Sequence, residues 1–402
     1  MNPGESLAYP SGSMKKILMV QRFDVVNVGC AERIWRQAEE LATRDYEVTL
    51  VQFPHSERRR TLPSLRPEAP PGVRVLALDR QAASIPENIR ILSREIQSAD
   101  LVHLWKCYPD TGIPVLWGLR KHPGPLHYDW DDLEGGEGGI AQRLTDSPLV
   151  GNLIGTWERL ILDWADSVSV ASDEIGRICQ SHGFPSESIF FCPVGGSPRA
   201  IDDSILQKWE QEFGDRTVLT FLGQMEAEDF PVEVLSAIAG VMREKDDLHL
   251  VLVGDGPGRR SLEERAREEG ILARCQFTGY VPHREAQAIL SLSTGLLFPL
   301  KDDPMSRCKS PLVVVESLSH GTPVIASNVG EAPKMIGDCG ALVSGLGERE
   351  WRNGLSTFLE TIRTDSNLAD RCRRQFLDNW TWGRSVDNLE KAYHHAVSRF
   401  NA

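Results

Sequence analysis

No stretch of this chain approaches the roughly 18 to 20 uninterrupted apolar residues of a membrane span, so none is expected. Its opening, MNPGESLAYPSGS, lacks a basic segment followed by an apolar run, which argues against a secretory signal. Residues 1–14 read instead as a disordered leader before a first strand at Lys15. The eight cysteines (Cys30, Cys107, Cys179, Cys192, Cys275, Cys308, Cys339 and Cys372) contain no CxxC pair and no metal-ligand spacing. They read as reduced thiols of a cytoplasmic protein. Cations are in deficit, with 44 Lys plus Arg against 57 Asp plus Glu, a net charge of −13. That balance argues against a nucleic-acid binder, which needs a broad basic surface, although a few local cations suffice for a polyphosphate. Also missing are a GxxxxGK[ST] loop and the acidic residue that completes a dinucleotide fingerprint, so neither P-loop hydrolysis nor NAD chemistry is expected.

What is present begins with an ordinary globular composition, 41% hydrophobic and 25% charged over 402 residues, enough for two or three folding units. The recurring unit is a short β-branched run, a turn and a longer amphipathic stretch. KKILMVQ (15–21) leads to Gly29 and then AERIWRQAEELATRD, where Ile34, Trp35, Ala38 and Leu41 fall on one helical face. YEVTLVQF (46–53), VRVLAL (73–78), ADLVHLW (99–105), PLHYDW (125–130) and SVSVA (167–171) continue the series. The pattern restarts after CPVGGSPRA (192–200), with TVLTFLG (217–223), LHLVLVG (248–254), CQFTG (275–279), GLLFPL (295–300) and PVIAS (323–327). Alternation of strands and helices implies mostly parallel sheets covered on both faces. The expected fold class is α/β, two Rossmann-like doubly wound lobes over residues 15–195 and 196–380. A final helical stretch, 381–402, is free to cross back to the first lobe. Ligands bind at the carboxyl ends of such strands, so two facing lobes would enclose a cleft.

Gly254-Asp255-Gly256-Pro257-Gly258 follows a strand and opens a helix, which alone marks only a tight turn. KSPLVVVESLSHGTPVIASNVGEAPKMI (309–336) is more specific: a helix carrying Glu316 ends in Gly321, a strand follows, and Gly330 starts another helix. Together with FLGQM, VGDGPGRRSLE and CQFTGYVPHREAQAIL, this segment resembles family 4 of the retaining glycosyltransferases, which have the two-Rossmann GT-B architecture. VNVGCAERIWRQAEELATRDYEVTLV is similar to that family's glycine loop, helix and second strand. The resemblance starts near residue 15, covers nearly the whole chain from there, and is thinnest between residues 50 and 150.

The resemblance implies sugar transfer from a nucleotide-diphosphate donor, a UDP- or GDP-sugar, with retention of configuration and without a cofactor or metal. It places Glu316 on the donor ribose, where two carboxylate oxygens can chelate a vicinal diol. It places Tyr280 and Val281 at the base edge, and Gly223 and Gln224 beside the diphosphate, the glycine allowing close backbone approach. Ser310, Pro311 and Leu312 would open a helix whose free N–H groups and dipole favour that anion. Gly29 falls in the glycine loop on the acceptor side.

Three positions depart from the family pattern. The usual Arg after the glycine is Gln224, the Lys five residues later is Asp229, and the glutamate eight positions before Glu316 is Cys308. Losing two cations at a leaving diphosphate is costly, since electrostatic stabilisation is usually the largest catalytic contribution. Three readings remain open. Arg307 and Lys309 supply the charge, with Arg259 and Arg260 as second candidates; the loop after Gly223 is rebuilt with Asp229 facing away; or the protein binds nucleotide without catalysis.

In the first lobe, HYDWDDLEGGEGG (127–139) ends a strand in an acidic loop whose glycines permit movement. Asp131 is the candidate for orienting the acceptor, with Asp132 and His127 as acceptor contacts; a hydrated surface loop is the competing reading, and no metal is expected. His103 and His127 could each face the cleft, and Trp105 and Trp130 could stack on a sugar ring, but core packing is the commoner case for such residues. Two rival functions stand beside the transferase: a catalytically degenerate nucleotide-binding or partner protein, and a sugar-nucleotide epimerase. No motif separates UDP from GDP or fixes the acceptor or the oligomeric state.

Overall fold

The computed structural model describes residues 14–23, 31–54, 69–106, 108–197 and 201–402; Gly29, Cys30 and Cys107 lie outside them. The first sheet comprises β1 (Lys16–Val20), β2 (Glu47–Gln52), β3 (Arg74–Ala77), β4 (Leu101–Trp105), β5 (Leu126–Trp130), β6 (Ser167–Val170) and β7 (Ile189–Phe191). Their order is β3-β2-β1-β4-β5-β6-β7. The second comprises β8 (Thr217–Leu222), β9 (Leu248–Val253), β10 (Cys275–Gly279), β11 (Gly295–Phe298), β12 (Val324–Ser327) and β13 (Gly340–Val343), in the order β10-β9-β8-β11-β12-β13. Pairing is parallel throughout both sheets. The α/β class with two doubly wound, Rossmann-like lobes is therefore the observed one. Strands β7 and β13 go unannounced in the sequence. The first is three residues long, and the second opens on glycine and is only partly buried, so neither makes a recognisable apolar run.

Helix Glu32–Ala42 shows how the pattern becomes packing. Ile34, Trp35, Ala38 and Leu41 are buried against Ile17, Met19 and Leu50 of the sheet. On the other face Arg36 pairs with Glu32 and Glu39, one turn away on either side. The last helix, Trp382–Phe400, lies on the same surface of the first lobe, adding Val386, Leu389, Tyr393 and Ala396 to that cluster. The two passages of chain between lobes run against each other: Gly196 N donates to Trp380 O at 2.8 Å and Trp382 N to Gly196 O at 3.2 Å. Only glycine fits here, because a Cβ on Gly195 would lie 2.5 Å from Trp382 N. Among the described residues no helix is long and apolar enough to cross a membrane, and the six described cysteines are all free thiols.

Beneath the last helix sits a buried polar network. Arg33 donates from Nε and Nη2 to the two oxygens of Asp129, at 2.8 and 2.7 Å, and from Nη2 to Cys192 O at 2.7 Å. Ser169 Oγ donates to Asp129 at 2.6 Å. Burial disfavours both charges, but each partner more than offsets this, so Arg33 is raised and Asp129 held below its ordinary range. His127 must be corrected here: it is no acceptor contact. It is fully buried on β5, with its ring nitrogens 2.8 and 2.9 Å from Ser167 and Ser169 Oγ. His103 is likewise buried, bonded to Tyr393 at 2.6 Å, and pushed down to about 4 by burial. Trp105 and Trp130 are core residues too.

Arg33→Ala leaves Asp129 as an uncompensated buried charge, and is expected to cost about 3–5 kcal/mol of first-lobe stability in denaturant melts. A loss below about 1 kcal/mol would remove the pair from the account.

Candidate functional site

In each sheet the strand order reverses once, at β1/β4 and at β8/β11. A crevice opens at the carboxyl ends on either side of such a reversal. The two carboxyl edges face each other. Arg143, from the helix Ile140–Thr145 beyond β5, reaches Asp303 at 3.1 Å and Glu228 at 3.6 Å in the second lobe. Glu331 accepts from Asp173 N at 2.6 Å, and Lys334 pairs with Asp173 at 3.1 Å. Cys308, though between β11 and β12, is buried among the apolar residues of the first lobe, and burial pushes its thiol up to about 12.

On the second-lobe edge, Gly223 follows β8 and Gln224 is exposed. The glycines of 254–258 prove to serve packing against this turn. A Cβ on Gly254 (φ 118°) would lie 2.0 Å from Gly223 O, and one on Gly258 2.6 Å from Met225 O. Beyond β11, Ser310 Oγ accepts from Val194 N at 3.0 Å, tying the next helix to the interlobe passage. That helix, Leu312–His320, follows a buried Pro311 and has no side-chain cap. One turn in, Glu316 is mostly buried and lies 2.8 Å from His283 Nε2. Tyr280 is largely exposed, its hydroxyl 3.5 Å from Asp255 O, while Val281 is partly buried.

The candidate cations differ sharply in setting. Lys309 is paired with Asp229, both mostly buried, so Asp229 does not face away from the site. Arg307 is half exposed and bound to Asp302 at 2.6 Å. Arg259 is held by Glu263 at 2.8 Å, and the largely exposed Arg260 by Glu264 at 2.8 Å. Lys309 also acts across the cleft. Burial opposes ionisation of Asp132, but Lys106 and, more weakly, Lys309 hold that carboxyl below its ordinary range.

On the first-lobe edge the acidic loop is organised by a residue that sequence reasoning passed over. Lys106 directly follows β4 in a left-handed conformation (φ 61°). Its buried ammonium meets Asp132 at 2.9 Å, Asp131 at 3.2 Å, and Glu134. Glu134 also accepts from the Tyr108 hydroxyl. The oxygens of Asp131, Asp132 and Glu134 lie within 4.8 Å of one another, a set able to hold a hard cation, yet the ammonium already meets all three. Two of the loop glycines serve close packing: a Cβ on Gly135 would lie 2.1 Å from Gly155 N, and one on Gly139 2.4 Å from Gly135 O. Beneath them Glu158 accepts from the Glu134 and Gly135 amides at 3.2 and 3.0 Å. Burial, with Glu134 adding repulsion, raises Glu158 to about 8. Burial likewise raises Asp131 to about 7, opposed by Lys106 and reinforced by Asp132. The described site residues expected from sequence thus lie on two opposed edges, Lys309 and Asp229 on one, Asp131, Asp132 and Lys106 on the other, with His127 excluded.

Two wholly parallel lobes with opposed carboxyl edges define the GT-B architecture. Sucrose-phosphate synthase from Thermosynechococcus elongatus has the same fold, with a TM-score of 0.72 at 17% identity over 96% of this chain and 99% of that one. So does Anabaena HepE, solved with UDP-glucose, with a TM-score of 0.70 at 15% identity over 94% of this chain and 99% of that one. The family model described as "Glycosyl transferase 4-like domain" matches residues 28–195, and that described as "Glycosyl transferases group 1" matches 216–361. The chain belongs to this glycosyltransferase family. Sequence relatives include the D-inositol 3-phosphate glycosyltransferase of Corynebacterium kroppenstedtii, 27% identical over 220 residues (51% of this chain, 46% of that protein). The alpha-D-kanosaminyltransferase of Streptomyces kanamyceticus is 27% identical over 181 residues, 44% of this chain and 46% of that one. The chain spans about half the length of the relatives it matches.

The raised Asp131 carboxyl makes stability depend on pH. An ordinary aspartate loses its proton near pH 4, about where the unfolded chain would. The folded chain keeps that proton to about pH 7, so stability falls as pH rises between those values. Asp131→Asn removes the dependence. Its Tm relative to wild type is expected to be higher at pH 8 than at pH 5, by on the order of 2 °C or more. An advantage that shrinks with rising pH would contradict the assignment.

Proposed function

We propose that this protein transfers a glycosyl group from a UDP- or GDP-sugar to an acceptor hydroxyl, with retention of configuration, in the cytoplasm and without a metal or cofactor. One observation carries this reading: an uncapped helix start at Leu312, Lys309 just before it, and Glu316 one turn on, all beside the strand reversal at β8/β11. Free amides and the helix dipole there suit a diphosphate. Glu316 would hold the ribose hydroxyls, Tyr280 and Val281 would border the base, and Gly223 and Gln224 would flank the diphosphate. The printed ligand of the Anabaena neighbour, UDP-glucose, makes a UDP-sugar the first donor to try.

Lys309 carries the role that the missing Arg and Lys leave open, with Arg307 behind it. Before donor binds, Asp229 neutralises the ammonium. A diphosphate, with more charge than one carboxylate, competes for it. Facing it, Asp131 and Asp132 orient the acceptor. The departing diphosphate oxygen takes the acceptor's proton on the same face of the sugar as the new bond forms, so no separate base is needed. Positioning between two edges supplies much of the acceleration.

The Lys309–Asp229 pair also gives the rival reading its basis, since a neutralised cation suits a protein that only binds. Turnover decides. With UDP- and GDP-sugars as donors, Lys309→Ala is expected to lower kcat by about a hundredfold while the melting curve holds, and Glu316→Ala to raise donor KM about tenfold. Nucleotide binding without turnover on any donor would establish the rival.

A further inference from the structure

Beside the acidic loop, the first-lobe edge carries a feature of opposite sign. Arg22 follows β1, Arg80 follows β3, and Asp110 lies in the first turn of the helix Pro109–Lys121 that follows β4. All three therefore sit at carboxyl ends, around the strand reversal at β1/β4. Each guanidinium donates its Nε to one oxygen, Asp110 Oδ2, at 2.9 Å. Two cations share one carboxylate, which leaves a net charge of about +1 in a protein that is otherwise acidic.

Neither arginine is a hydrated surface group: their side chains are 23% and 17% exposed. Arg22 Cζ lies over the Tyr108 ring, 3.8 Å from its centroid, which holds the guanidinium in place. Burial and then the charge of Arg22 make Arg80 easier to deprotonate than an ordinary arginine, the mark of a cation short of counter-charge. With Nε engaged, each retains its two terminal nitrogens, and among the described residues these meet no further acceptor. A guanidinium offers donors in a fixed fork that matches a phosphate or carboxylate. The pair is also continuous with the acceptor side: Tyr108, under Arg22, donates to Glu134, and Glu134 binds Lys106, which holds Asp131 and Asp132.

We propose that Arg22 and Arg80 form a subsite for an anionic group, phosphate or carboxylate, on the acceptor, so that the acceptor is an acidic polyol or sugar. The proposal rests on the transferase reading, which makes this edge the acceptor side. The anion binds the terminal nitrogens of both arginines while the attacking hydroxyl lies toward Asp131 and Asp132. Asp110 keeps the two guanidiniums together when the subsite is empty and limits their mutual repulsion.

The full chain is titrated calorimetrically with inorganic phosphate and, separately, with UDP, as wild type, Arg22→Gln, Arg80→Gln and Arg80→Lys. Phosphate is expected to bind the wild type and to weaken about tenfold or more in either Gln variant, while UDP affinity stays within about twofold. Arg80→Lys, which keeps the charge and loses the fork, should fall between and guards against misfolding as the explanation. In transfer assays with a polyol phosphate, a uronate and a neutral polyol, the wild type should prefer one anionic acceptor by tenfold or more. Which anion wins separates phosphate from carboxylate, and Arg80→Gln should erase the preference. Phosphate binding that is absent, or unchanged in the variants, overturns the proposal. So does a parallel loss of UDP affinity, which would give the pair to the donor diphosphate. Failure of UDP to bind the wild type sinks the transferase reading instead, and leaves the phosphate result standing as evidence of an anion site.

Discussion

A wholly parallel sheet gathers its strand-to-helix loops along one edge, and here two such edges are held opposite each other. The constraint is enforced where the chain passes between lobes. Gly195 packs against the backbone of Thr381 and Trp382, and Gly196 against the side chains of Phe376 and Val315, too close for a side chain on either glycine. Ser310 bonds to the same passage, so the start of the donor-side helix is fixed to the point about which the lobes meet. Every group assigned to a substrate follows from this placement. Residues after β5 and β6 meet residues after β8, β11 and β12, and distant parts of the sequence share one crevice.

Charge is arranged within that crevice with little slack. Lys309 is neutralised by Asp229, and Lys106 by three carboxylates. Such pairs cost desolvation, so they contribute little net stability while fixing where charge sits before any ligand arrives. A diphosphate entering beside Lys309 exchanges one anionic partner for a stronger one, without first assembling the site. The Arg22–Asp110–Arg80 group differs because two cations share a single anion, and it is there that the protein has charge to spare.

Much of the fold is legible in the sequence, because buried parallel strands write themselves as apolar runs and surface helices as 3.6-residue stripes. Only β7 and β13 are silent, being short or half exposed. The site is legible unevenly. Glu316 and the helix start at Leu312 follow from local motif. The meaning of Asp229 does not, since it depends on Lys309, eighty residues on. Lys106 was hidden at the end of an apolar strand, its partners 25 to 28 positions away. His127 misled because a histidine at a strand end looks alike whether it faces the cleft or two buried serines. Gly135 misled similarly: it marks close backbone contact, which sequence cannot distinguish from flexibility, whereas the run 254–258 is the tight turn its sequence suggests.

The claim beneath all of this is that a nucleoside diphosphate lodges at the start of helix Leu312–His320, next to Lys309. Soaking or co-crystallising the chain with UDP-glucose, and with a GDP-sugar in parallel, tests it most directly. The account predicts density for the diphosphate against the Leu312 and Val313 amides, with the Lys309 ammonium turned from Asp229 toward it. A nucleotide bound elsewhere, or a Lys309–Asp229 pair that stays closed over a filled site, would contradict it.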